Sequence, residues 1–138
     1  MHTVKVARAG LILLLVCGVF AGALAAQRSP RGRWIYLGKA HVDGTTDHDK
    51  IKVTSSEGEF RSIQIHVDYA PIEFNRVVVH YGNGGDDEIE VRDRVPAGAQ
   101  TRVIDLRGER RVIQSVEVWY EKARWESRRP RIRLYGRR

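Results

Sequence analysis

Two histidines and three aspartates lie within nine consecutive positions of the chain, at His41, Asp43, Asp47, His48 and Asp49. Carboxylates and imidazoles in one loop could supply oxygen ligands to Ca²⁺, or mixed nitrogen and oxygen ligands to Zn²⁺. The spacing matches neither an EF-hand loop nor the helical zinc motif with two histidines. Aspartate and glycine also populate turns for backbone reasons alone, so an ordinary turn is the competing interpretation. A metal-dependent enzyme built on this loop is one hypothesis for function.

A second group of residues combines aromatic rings with arginines near the C-terminus. Trp125 lies in a loop rich in arginine, between two strands that carry Trp119 and Tyr135. The arginines of that loop are Arg124, Arg128 and Arg129. An aromatic ring beside guanidinium groups can stack on a sugar while the arginine holds a negative group. Alternatively, an arginine packs over the indole as a cation–π lid. These six residues form the candidate binding site.

Catalytic chemistry finds little support elsewhere in the sequence. His66 with Asp68 could orient a general base. However, the serines lie in no nucleophile-elbow context, and Cys17, the only cysteine, lies in the leader described below. We therefore expect no catalytic site and no cofactor.

The elements that must position these residues are β-strands. From Trp34 onward, apolar residues alternate with polar ones, and turn residues recur every eight to twelve positions. Eight strands are predicted, at residues 34–42, 50–54, 60–67, 72–81, 88–95, 101–106, 111–120 and 131–135. A β-bulge near Asn75 and Arg76 would reconcile the two parities of the fourth strand. Residues 34–138 are therefore predicted to form one antiparallel β-sandwich, jelly-roll-like or immunoglobulin-like.

One turn near the end of this domain has an acid with an expected structural role. Asp105 lies between two apolar residues, so its side chain points to the face opposite theirs. There we expect it to accept hydrogen bonds from Arg102, Arg107 or turn amides. Gly108 would permit a positive φ in the turn that follows. We therefore interpret Asp105 and Gly108 as structural residues.

The first 26 residues have the layout of a secretory signal peptide. Lys5 and Arg8 give a positive start, residues 11–24 are apolar or small, and residues 23–25 (ALA) suit a signal peptidase. The apolar run is shorter than the roughly 20 residues that a membrane-spanning helix needs. We therefore expect cleavage near Ala26, no membrane span afterwards, and a periplasmic or secreted protein. Residues 27–33 are predicted to form a flexible basic lead-in. Because cleavage removes Cys17, we expect no disulfide in the mature chain.

Charge is distributed unevenly along the chain. Residues 27–42 carry four bases and no acid, residues 43–93 hold twelve acids against five bases, and residues 94–138 hold thirteen bases against five acids. The basic and acidic segments could face each other or simply cover the surface. Alternatively, the basic ends could form a patch for lipopolysaccharide or acidic polysaccharide. Nucleic acid is not expected as a partner, because export is predicted and no nucleic-acid motif is present.

Several short segments resemble a group of small exported bacterial proteins of unknown function. They are residues 34–38 (WIYLG), 102–108 (RVIDLRG) and 111–113 (RVI), Tyr120, and residues 134–136 (LYG). The resemblance covers about residues 34–136. It implies an exported β-sandwich and carries no activity.

Three functional hypotheses follow. The first is an exported, non-catalytic β-sandwich that binds a component of the cell envelope: a glycan, an anionic polymer or a protein. The second is a structural or assembly partner that acts through a sheet edge. The third is the metal-dependent enzyme of the loop at residues 41–49.

Overall fold

The computed structural model describes residues 32–42, 44, 47–121 and 128–138, and this part of the chain contains nine β-strands. The strands are β1 (Trp34–His41), β2 (His48–Lys52), β3 (Glu59–Phe60), β4 (Ser62–Asp68), β5 (Ile72–Tyr81), β6 (Asp86–Val95), β7 (Ile104–Asp105), β8 (Arg111–Tyr120) and β9 (Arg131–Arg137). One 3-10 turn spans Ser55–Glu57. No helix in this part of the chain is long and apolar enough to cross a membrane.

The strands form two antiparallel sheets that pack as a sandwich. The order in the four-stranded sheet is β1-β9-β4-β7, and in the five-stranded sheet it is β2-β8-β5-β6, with β3 also paired to β8. This confirms the predicted all-β sandwich. Because β1 pairs with β9, the first and last strands lie side by side. Residues 34–41 and 131–137, from the two basic ends of the sequence, are therefore brought together in one sheet.

The predicted strands correspond closely to the observed ones. β5 and β8 have the predicted bounds, and the predicted bulge is present, since the register of β5 shifts between Phe74 and Arg76 against both neighbours. The strand predicted at residues 60–67 is divided into β3 and β4. The strand predicted at residues 101–106 is reduced to the two residues of β7.

The interior consists of the apolar residues that alternate along each strand. Ile63, Ile65 and Val67 of β4 are fully buried, as the alternation predicts. Val112 has the parity of Val116, so the alternation along β8 predicts an inward side chain. It is only partly buried, whereas its neighbour Ile113 is buried. The register of β8 against β5 shifts at this point, between the pairs His80–Ser115 and Tyr81–Ile113. That irregularity reverses the side-chain parity, so the prediction for Val112 is wrong.

Candidate functional site

The outer face of the four-stranded sheet gathers the basic and aromatic side chains of both ends of the chain. The register places Trp34 beside Arg137, Tyr36 beside Tyr135, Lys39 beside Arg133, and His41 beside Arg131. On the other side of β9, the outward residues of β4 are Ser62, Gln64, His66 and Asp68. We call this surface, together with Asp105, Tyr69 and Arg128 at its ends, the basic face.

Aromatic rings occupy the centre of the basic face. The Tyr135 ring lies 5.7 Å from the Tyr36 ring in an edge-on arrangement and 4.4 Å from the His66 imidazole. The Tyr36 side chain remains 48% exposed. At one end of the face, the Arg137 guanidinium lies 5.0 Å from the centre of the Trp34 ring. The face therefore offers flat apolar surfaces with cations beside them, which is how rings of a sugar can be held.

Asp68 holds two arginines of the face in place. Arg133 donates to both carboxylate oxygens of Asp68, with its Nε at 2.7 Å and its Nη2 at 3.0 Å, and the Arg131 Nε donates at 3.0 Å. Arg133 also donates to the Tyr135 hydroxyl at 2.6 Å. One carboxylate thus orients two guanidinium groups, and the second of them orients the central tyrosine.

These contacts shift the protonation equilibria of the face. The hydrogen bonds from Arg133 lower the pKa of the Asp68 carboxyl, with Arg131 adding to the effect. The same pairing raises the pKa of Arg133. Burial and the positive charge of Arg133 lower the pKa of His66, while Asp68 opposes them. The lowered pKa favours the neutral form of His66, whose ring packs on Tyr135.

Tyr69 lies at the far end of the basic face in an unusual backbone conformation. Its φ is 77°, and the Ala70 N–H donates to the Asp68 carbonyl at 3.0 Å. A three-residue turn with positive φ is rare and strained for a residue other than glycine. The ring is 41% exposed and lies 3.9 Å from the Arg128 guanidinium and 4.8 Å from that of Arg131. The strained turn therefore projects an aromatic ring between two arginines.

The two outer faces of the sandwich differ in charge. The basic face carries five cations (Lys39, Arg128, Arg131, Arg133, Arg137) and two carboxylates (Asp68, Asp105). The outer face of the five-stranded sheet carries five cations (Lys50, Lys52, Arg76, Arg92, Arg94) and five carboxylates (Glu73, Asp86, Glu88, Glu90, Glu117). The outer face of the four-stranded sheet is therefore the more basic of the two, although Asp68 of the acidic middle lies on it and pairs with Arg131 and Arg133 of the basic end.

The described members of the predicted binding site lie on two different faces. Tyr135 and Arg128 belong to the basic face, and Arg129 is exposed beside Arg128. Trp119 lies on the five-stranded sheet, where its ring stacks on His48 at 4.1 Å and lies 4.5 Å from the Arg76 guanidinium. The structure therefore does not bring Trp119 and Tyr135 together. Trp125 and Arg124 lie outside the described residues, and their binding role stays a prediction.

The described members of the predicted metal loop do not converge. His41 lies on the basic face beside Arg131, and His48 lies on the other sheet beside Trp119. Asp49 accepts a hydrogen bond from the Tyr120 hydroxyl at 2.7 Å, and Asp47 contacts its neighbour His48. No three His, Cys, Asp or Glu side chains within the described ranges lie close enough to hold a metal ion. Asp43 lies outside those ranges.

Two acids stabilise the late turn, where the sequence indicated one. Asp105 accepts a hydrogen bond from the Ser62 hydroxyl at 2.8 Å, and not from the arginines that were expected to bind it. Gly108 has the predicted positive φ, at 78°. The second acid, Asp87, is 4% exposed and accepts from the Arg107 backbone N–H and the Tyr81 hydroxyl. Burial, with Asp87 next in effect, raises the pKa of Tyr81 to about 12.

We expect Asp105→Ala to lower the free energy of unfolding by about 1 kcal/mol, because the buried Ser62 hydroxyl loses its acceptor. Thermal or urea unfolding measures this loss. Ser62→Ala combined with Asp105→Ala should cost less than the sum of the two single changes, since the pair is then removed together. An unchanged unfolding midpoint for Asp105→Ala would show that the hydrogen bond contributes nothing.

One sheet edge that could mediate assembly, that of β6, is already bound by an arginine of the same chain. The Arg102 guanidinium donates to the backbone carbonyls of Glu90 and Val91 in β6, both at 2.9 Å. These carbonyls lie on the outer strand of the five-stranded sheet. An arginine that binds carbonyls of an outer strand blocks the addition of a further strand there. The observation argues against the sheet-edge hypothesis at this position.

Fold and face together define a class: an antiparallel β-sandwich with one basic, aromatic outer face. The family model described as "Domain of unknown function (DUF2541)" matches residues 10–136, so the chain belongs to this family. This agrees with the resemblance drawn from residues 34–136. Export by a signal peptide stays a prediction.

A solved structure shares the fold. The structure of AlgX from Pseudomonas aeruginosa superposes with a TM-score of 0.53 at 13% sequence identity, covering 75% of this chain and 26% of that chain. The chain thus spans about a quarter of the length of AlgX. At this identity the likeness concerns the fold alone. No curated protein matches the sequence.

Most residues of the basic face were not predicted from the sequence, because the candidate motif lay in the loop around Trp125. A signal for them was present in β9, where Arg131, Arg133, Tyr135 and Arg137 alternate with buried residues. Four outward positions without a single acid in one strand indicate a basic surface. The contributions of Trp34 and Tyr36 depend on the pairing of β1 with β9, which no local pattern reveals.

Proposed function

We propose that this protein is an exported, non-catalytic module that binds an acidic polysaccharide of the cell envelope through its basic face. The observation that carries the proposal is the excess of cations over carboxylates on the basic face, where the other outer face is balanced in charge, together with the exposed tyrosines on the basic face. A polyanion is attracted to such a surface, and aromatic rings beside the cations give a sugar chain something to pack against. The predicted export places the protein where such polymers occur.

Three cations of the basic face are available to a ligand. Arg131 and Arg133 are bound by Asp68, whereas Lys39, Arg128 and Arg137 form no ion pair with any carboxylate in the described ranges. The Arg137 guanidinium donates to the Ser62 hydroxyl at 3.4 Å and lies 5.0 Å from the centre of the Trp34 ring. A guanidinium without a carboxylate partner can receive a carboxylate or sulfate in two hydrogen bonds. The unpaired cations are therefore the expected anion contacts.

Binding of labelled polygalacturonate to the purified protein tests the proposal, with neutral dextran as the uncharged polymer. We expect polygalacturonate to bind at low salt and to be released at high salt, and dextran not to bind. Arg137→Ala with Lys39→Ala should weaken binding about tenfold, since two ionic contacts of about 0.7 kcal/mol each add to about 1.4 kcal/mol.

Matched controls lie on the other sheet. Arg94→Ala and Lys52→Ala remove the same two charges from exposed positions of β6 and β2, and we expect them to change binding less than about twofold. If both double variants lost the same binding affinity, the effect would depend on net charge alone, and a specific binding face would be refuted. Absence of polygalacturonate binding, or tighter binding of single-stranded DNA than of polygalacturonate, would also overturn the proposal.

A further inference from the structure

We propose that the ligand of the basic face is an extended acidic glycan that lies along β9, with a separate contact site for its chain at each end of the face. One end site consists of Trp34 and Arg137, and the other of Tyr69 and Arg128. This inference rests on the proposed function and adds the direction, the minimum length and the end contacts of the ligand.

The direction follows from where the aromatic and cationic side chains lie. Trp34 and Arg137 sit at one end of the β1–β9 pair, and Tyr36 and Tyr135 lie two residues further along. Beyond them come Lys39 and Arg133, and the far end is reached at Tyr69. Aromatic rings and cations thus follow one another along β1 and β9. Across the sheet, the neighbouring outward residues of β4 are mainly polar and uncharged. A chain laid along β9 meets all of them.

The length of the face sets the minimum length of the ligand. β9 has seven residues. At about 3.3 Å per residue the strand spans about 20 Å, and the Tyr69 ring extends the surface beyond its first residue. This distance is several sugar rings in a row, so a disaccharide cannot reach both end sites at once. Affinity should therefore increase with chain length until both ends are occupied.

The backbone of Tyr69 is an independent observation that points to a contact site. A non-glycine residue in a turn with φ of 77° costs free energy, and its side chain gains little burial in return because it is 41% exposed. Two guanidinium groups fix the ring from Arg128 and Arg131. A strained residue that projects an exposed, oriented ring between cations is well placed to receive a sugar carrying a carboxylate.

Calorimetric titration with di-, tetra- and hexagalacturonate tests the inference. We expect the affinity to rise about tenfold from digalacturonate to tetragalacturonate and about tenfold again to hexagalacturonate, because each longer ligand gains one further contact of about that size. Tyr69→Gly removes the ring and keeps a residue that tolerates positive φ, so the fold should be retained. In this variant the gain from tetramer to hexamer should disappear. Trp34→Ala should remove a gain of similar size at the other end.

Tyr69→Phe is the matched control, because it keeps the aromatic ring, and it should retain the full dependence on chain length. Two results would overturn the inference while leaving the proposed function intact: a dimer that binds within about twofold of the hexamer, or a Tyr69→Gly protein that keeps the gain. If polygalacturonate itself does not bind, the proposed function fails, and this inference fails with it. Circular dichroism of each variant verifies that the sandwich is folded.

Discussion

Replacing Asp68 by alanine is expected to lower the free energy of unfolding by about 2–3 kcal/mol, because two arginines then lose a shared charged acceptor. The Asp68 side chain is 17% exposed and receives hydrogen bonds from Arg131 and Arg133 at 2.7–3.0 Å. Without it, two guanidinium groups of like charge remain side by side. Glu88→Ala is the control, since its ion pair with Arg76 is well exposed and should contribute less than about 0.5 kcal/mol.

The contribution of Asp68 to the free energy of unfolding should decrease as the pH is lowered. Its pKa is lowered in the folded protein, so its contribution is fully present above the ordinary aspartate pKa and is lost as pH falls through the folded pKa. Urea unfolding of the wild-type protein and Asp68→Ala should therefore differ most near pH 7. The difference should shrink below about pH 4. A difference that stays constant between these values would show that Asp68 contributes through packing and not through its charge.

Replacing Gly136 by alanine should have the second large effect, a loss of about 1–3 kcal/mol from overpacking. Gly136 faces the interior between Tyr135 and Arg137 of the basic face. A Cβ atom added there would lie 2.6 Å from Phe60 Cδ1 and 2.9 Å from Leu37 Cδ1. Phe60 is fully buried, so its ring cannot move aside without disturbing the core.

Gly85→Ala is a matched control for this prediction. The added Cβ would lie 3.3 Å from the side-chain oxygen of the exposed Asn83, which can move aside. Its expected cost is below about 0.5 kcal/mol, and urea unfolding at neutral pH compares the two variants directly. If the two variants lose the same free energy of unfolding, the close approach of β9 to Phe60 has no energetic consequence.

The alternation of apolar and polar residues was sufficient to predict most strands. β5 and β8 have the expected bounds because each is long and bounded by turns rich in glycine or charge, and the bulge at Asn75 followed from a change of parity within one strand. The irregularity of β8 that turns Val112 outward leaves no such mark, since Val112 and Ile113 are both apolar. Similarly, β7 has only two residues, and the nearby Arg102 binds carbonyls of β6, a contact between distant parts of the chain that no local pattern indicates.

The candidate site was harder to predict than the fold because it depends on which strands are neighbours. Sequence spacing drew attention to Trp119 and Tyr135, sixteen positions apart, yet strand order places them in different sheets. Trp34 and Arg137 lie at opposite ends of the chain and become neighbours only through the β1–β9 pairing. The net charge of each segment could be counted from the sequence. Only the strand order showed that the cations of β1 and β9 share one face.

Nuclear magnetic resonance titration of the isotopically labelled protein with hexagalacturonate tests the central claim most directly. The account predicts that amide shifts change in β1, β9 and the outward positions of β4, with Tyr69 among them, and that β2, β5 and β6 remain unchanged. Shift changes concentrated around Trp119 and the acidic strands of the five-stranded sheet would contradict it.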